Sequence, residues 1–221
     1  MEKRKIFRLA LIGSITTTLS ILYIGFGIPV PESVVSLQPS DMAVSAEQFL
    51  IPINEYPVLM LRFLMADEFL ILGGLLLYLG FYTLIVEKSR LISAVGLGIG
   101  LFTVLLDISE NAFLISYAQQ STNGTPVSDP ALPLLYVITN LKMMGSYAGF
   151  LIFGLAWPRG TKLDLGISGM MILYTITGLL CLLIPRLSLM RGIFLLLSMT
   201  GFIWYFAKQL HTSKIVSASL L

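Results

Sequence analysis

Leu91-Ile-Ser-Ala-Val-Gly-Leu-Gly-Ile-Gly-Leu-Phe-Thr-Val-Leu-Leu-Asp-Ile-Ser-Glu-Asn-Ala-Phe-Leu-Ile-Ser-Tyr-Ala118 decides the fold. The stretch holds no Lys or Arg, and its only charges are Asp107 and Glu110. A helix needs about 20 residues to cross about 30 Å of hydrocarbon, and this run is longer. It lacks the strand-like alternation of a membrane barrel. The segment reads as a transmembrane helix with polar residues set inside it.

Five further runs have the same character. They cover about residues 6–30, 57–86, 133–157, 165–184 and 192–210, and with 91–118 they make six predicted spans. Prolines and glycines punctuate the intervals, at Pro29, Pro31, Pro52, Pro57, Pro126, Pro133, Pro158, Gly160 and Pro185. Composition agrees: 56% of the chain is hydrophobic and 12% charged, against about a quarter charged in a soluble domain. The expected fold is an all-α integral membrane protein, a single helical domain over residues 1–221. Residues 6–30 read as a retained first span: no charge appears between Arg8 and Glu32, longer than a signal-peptide core of about 7–15 residues.

Lys and Arg set the expected orientation. Lys3, Arg4, Lys5 and Arg8 precede the first span; Lys88 and Arg90, Arg159 and Lys162, and Lys208 and Lys214 follow on alternate ends. The two longer loops, 31–56 and 119–132, contain neither residue type. Both termini are therefore expected in the cytoplasm, with the long loops outside, in a plasma or inner membrane. Arg186 and Arg191, in the turn between spans five and six, dissent. Within the outer loop, residues 41–55 suggest a short interfacial helix. Asn123-Gly-Thr125 matches a glycosylation sequon and also reads as a glycine turn.

The charges inside the spans are the candidate site. Arg62, Asp67 and Glu68 lie in span two, Asp107, Glu110 and Asn111 in span three, Asn140 and Lys142 in span four. Counted from the outer helix ends, Asp67 and Glu68 lie about 15 Å down, Asp107 and Glu110 about 12–17 Å, and Asn140 and Lys142 about 10–14 Å. Asp107, Glu110 and Asn111 follow an i, i+3, i+4 spacing and share a face, which Thr103 continues. Thr139, Lys142 and Ser146 share another. Adjacent residues diverge by about 100°, so Asp67 and Glu68 cannot both point the same way. A charge at the bilayer centre costs at least about 2.5–3.5 kcal/mol. The groups are therefore expected to meet in one cluster. Its sum is four carboxylates against Arg62 and Lys142, unless Arg62 reaches up to the surface instead. Either some acids stay protonated, or the cluster holds a cation or basic ligand.

Small residues at Gly96 and Gly100, Gly145 and Gly149, and Gly73-Gly74 suggest close backbone approach among spans two, three and four. Cys181 reads as a small buried hydrophobe and His211 as a solvated tail residue. No H-E-x-x-H, G-x-S-x-G, Walker, Rossmann or C-x-x-C pattern is present, and no cofactor or metal is expected. Scattered basic residues exclude a nucleic-acid surface. The expected partners are the lipid bilayer and a small cation, proton or lipid ligand, with other subunits open. Three function classes follow: a binding or transport protein for a small cation or proton, a membrane enzyme using carboxylates on a lipid or isoprenoid, and an accessory subunit whose ion pairs only hold helices together. The last is a real alternative, because buried pairs serve specificity without chemistry.

Overall fold

A computed structural model describes residues 2–28, 46–128 and 132–218. Among these the chain is helical, with no strand. α1 is Glu2–Leu22, continued by a π-helical turn Tyr23–Gly27. α2 is Ala46–Glu55, α3 Pro57–Ile85, α4 Arg90–Thr122, α5 Leu132–Ala156, α6 Lys162–Leu180 and α7 Ser188–Ala218. Five helical stretches are long and apolar enough to cross a membrane: Glu2–Gly27, Pro57–Ile85, Arg90–Thr122, Lys162–Leu180 and Ser188–Thr212. These are the helices of a multi-pass integral membrane protein. α5 is of similar length but falls outside that set; Thr139, Asn140, Lys142 and Ser146 dilute its apolar run.

Local chemistry marks the boundaries. Pro57 sits in the first turn of α3, where its missing N–H is unneeded. The Ser89 side chain caps α4 by accepting from the Ile92 amide. α6 opens on a reciprocal capping box: Thr161 N–H donates to Asp164 at 2.8 Å, and Asp164 N–H to the Thr161 hydroxyl at 3.2 Å. The Asn123-Gly124 pair ends α4 as a turn, with Gly124 at φ 81°. That is the left-handed region glycine enters without strain.

Each long helix packs on its neighbours in a closed ring: α1 on α3, then α4, α5, α6 and α7, which returns to α1. The ring centre near the chain termini is aromatic. Phe81 stands 4.7 Å from Phe202, 5.3 Å from Phe153 and 5.5 Å from Trp157 between ring centroids. At the far end a second apolar core joins Leu50 and Ile53 of α2 to Met60, Leu64, Leu114, Tyr117, Ala118, Val127 and Leu135. The expected helix within 41–55 is thus present as α2; the rest of that segment lies outside the described residues.

The glycines act differently from expectation. Gly96 admits the Phe153 ring, Gly100 and Gly149 the Tyr78 ring, and Gly145 the Thr103 side chain. These motifs make room for side chains rather than for backbone contact. True backbone approach occurs at the α1–α3 seam, where a Cβ on Gly13 would stand 2.6 Å from the Gly73 carbonyl oxygen. The tight core therefore includes α1 and is not confined to the middle three spans.

The Asn54 side chain ties α2 to the segment after α4. Asn54 Nδ2 donates to the Val127 carbonyl at 3.2 Å, while Val127 N–H donates to Asn54 Oδ1 at 2.9 Å. The Asn54→Ala variant is expected to lose about 1–3 kcal/mol locally. Faster amide hydrogen exchange confined to 50–56 and 125–128 would show it; unchanged protection there would refute the anchor.

Candidate functional site

The polar side chains of α3, α4 and α5 occupy one layer between the two apolar cores. On α3, Asp67 and Glu68 fall between Leu64 of the far core and Ile71 of the aromatic core. On α4, Asp107, Glu110 and Asn111 fall between Val104 and Leu114. On α5, Thr139 and Lys142 fall between Leu135 and Tyr147. Three helices interrupt their apolar faces at matching heights.

Lys142 is the hub. Its ammonium donates to Asp107 Oδ1 at 2.8 Å and also to Glu110 Oε2, with the Lys142 side chain 14% exposed and that of Glu110 6%. The second Glu110 oxygen accepts from the Thr139 hydroxyl. Asn111, fully buried, donates to Glu68 Oε1 at 3.2 Å. Asp67 lies beside Asn111 and within electrostatic reach of Lys142, Glu110 and Glu68. Asp67 and Glu68 diverge along the helix as expected, yet the single Asn111 amide links both to α4.

Two expected members stay outside. Arg62 is exposed and makes no ion pair among the described residues. It forms no ion pair with the acids of the layer and so neutralises none of them directly. Asn140 is half-buried, and no hydrogen bond joins it to the cluster. Two positions beyond it, Lys142 takes the face that meets α4, so Asn140 is turned about 200° from that face. Thr103 shares the expected face but bonds back to the Ile99 carbonyl. With Arg62 gone, four carboxylates face one ammonium. Among the described residues no group of three His, Cys, Asp or Glu side chains has the geometry to hold a metal.

No protein-family model, characterised protein or solved structure matches this chain. The site therefore has to be read from its own geometry.

The register between α5 and α6 gives the height of the cluster along the bundle. Ser168 Oγ donates to the Gly154 carbonyl at 2.8 Å and Thr175 Oγ1 to the Tyr147 carbonyl at 3.1 Å. Seven residues forward on α6 match seven back on α5. Continuing that register sets the end of α6, Leu180, level with residue 142. α6 has 19 residues, about 28 Å of helix, close to the full hydrocarbon thickness. The cluster thus sits at the level where α6 ends, beneath a cap formed by α2 and the far apolar core.

Sequence reasoning missed a hydroxyl group beside the cluster. The Ser146 hydroxyl lies 3.1 Å from that of Tyr174, and Arg191 Nη1 donates to the Tyr147 hydroxyl at 3.0 Å. The only forewarning was Ser146 on the Lys142 face and Arg191 against the charge rule. Ser109 is exposed and bonds to the Leu105 carbonyl, an ordinary helix serine with no base beside it.

Proposed function

We propose that the chain crosses the membrane six times, α5 included, with both termini cytoplasmic. In this reading it binds a proton or small monovalent cation, or the ammonium group of a small amine, among Asp67, Glu68, Asp107 and Glu110. Lys142 is the internal counter-charge and Asn111 and Thr139 are positioning residues. One observation carries the reading: four carboxylates face a single ammonium between two apolar layers. A guest positive charge or bound protons would relieve that surplus. The packed rings of Phe81, Phe153, Trp157 and Phe202 close the path towards the termini, which favours binding over passage through the ring. A purely structural staple has its own support in the double ion pair of Lys142, and the test separates the two.

The full chain in detergent is melted at fixed pH and ionic strength, with choline chloride exchanged for sodium, potassium or methylammonium chloride. A bound cation at one hundred times its Kd adds about 2.7 kcal/mol to stability. The expected result is a higher Tm with one of these salts, lost in Asp67→Asn. The same Tm in all four salts, together with no protonated-carboxyl C=O band in the infrared spectrum, would leave only the staple.

A further inference from the structure

Arg186 and Arg191 sit at the one place where basic residues break the orientation pattern, and the structure gives them a setting. α6 stops at Leu180 while its partner α5 continues from the matching residue 142 to Leu132. The two helix ends differ by about 15 Å at 1.5 Å per residue, part of which the helical turns of residues 181–187 take up. The ring therefore has a step at its far end, with the α6–α7 turn as floor and the tip of α5 as wall.

The floor of the step is apolar and open, with Leu182, Leu183, Ile184, Leu189 and Met190 exposed on it. Arg186 is exposed; Arg191 is half-buried. Neither has a carboxylate partner among the described residues. Arg191 is held in place by the neutral Tyr147 hydroxyl, itself on a 3% exposed residue. Tyr147 is in turn seated against Gly178, where a Cβ would strike its ring. A guanidinium fixed at the end of a 28 Å helix stands where phospholipid phosphates lie, and its fork matches a phosphate.

We infer that this step is a binding site for an anionic glycerophospholipid. Its phosphate would pair with Arg191 and Arg186, and its acyl chains would run from that level into the hydrocarbon along the exposed apolar side chains of the α6–α7 turn. Two unpaired cations over an apolar cradle complement a negative headgroup on two chains. The site is separate from the carboxylate cluster and does not depend on its occupancy.

Native mass spectrometry of the detergent-purified full chain tests this by titration with phosphatidylglycerol, phosphatidylcholine or inorganic phosphate. Phosphatidylglycerol is expected to be retained about tenfold more tightly than phosphatidylcholine. Arg186→Gln combined with Arg191→Gln should weaken it by about tenfold, the equivalent of one charge-assisted hydrogen bond. Tyr147→Phe should give a smaller loss, since it frees Arg191 without removing it. Should the double variant not fold, Arg186→Gln alone and the rise in wild-type Tm with phosphatidylglycerol read the same site. Equal retention of both lipids overturns the proposal. So does a stabilisation by inorganic phosphate matching that of the lipid, which would mean a free-anion site. So does tighter lipid retention in Glu32→Gln or Asp41→Asn, which would mean that the chain's own loop occupies the step.

Discussion

Lys142→Met is expected to lower stability by about 3–5 kcal/mol, because it strips the only ammonium from a layer of acids. Asp107 and Glu110 both accept hydrogen bonds from it, and Asp67 lies within its field. Methionine fills the volume but leaves these carboxylates facing one another with apolar cores above and below. For a chain of this size the Tm should fall by on the order of 10 °C. Adding Asp107→Asn and Glu110→Gln to the same variant should recover part of the loss, since neutralising both partners removes the repulsion. Arg62→Gln is the control: it is exposed, and its effect should stay within about 0.5 kcal/mol. Thermal melting by circular dichroism in detergent reads all of these. A Lys142→Met protein that melts with the parent would mean that the ion pairs contribute nothing. The rescued triple variant serves a second purpose: it should fold and yet show no cation response.

Gly73→Ala and Gly74→Ala are expected to act in opposite directions, though the substitution is the same and the residues are adjacent. A Cβ on Gly73 would stand 2.8 Å from the Gly13 carbonyl oxygen and 3.1 Å from the Thr17 backbone nitrogen, and would strike the Thr17 hydroxyl. Backbone atoms cannot rotate aside, so α1 must move off α3. Overpacking of this kind costs about 1–3 kcal/mol, and more when a helix is displaced. At Gly74 nothing lies within 4 Å. Alanine there gains up to about 1 kcal/mol of helix propensity with no clash. A comparison of the two melting temperatures decides it. Equal shifts would mean that α1 does not pack on α3 through this seam.

The membrane character and the helices were legible in the chain because hydrocarbon imposes length and apolarity locally. Each span is its own signal, and the capping and proline chemistry that bounds it is also local. The common height of the polar residues was legible too, since counting along a rigid helix at 1.5 Å per residue needs no partner. Asp107, Glu110 and Lys142 meet as their spacing implied. Arg62 and Asn140 show the limit: spacing gives a residue's height and face, but which face meets a neighbour depends on helix rotation. The glycine motifs show the same limit from the other side. Gly100 and Gly145 look alike in the sequence, but one receives a tyrosine ring and the other a threonine.

Sequence by itself determined that this chain is a bundle of apolar helices with acids and a lysine at one level. Only the tertiary structure decided that Arg62 stays out of the ion pairs and that α2 caps that level. It also decided that α6 ends beside it and that Gly13 and Gly73 carry the closest seam. Apolarity and helical rise are properties of one segment, readable without a partner. Register between helices, and hence charge balance and depth, arises from packing among segments far apart in the chain.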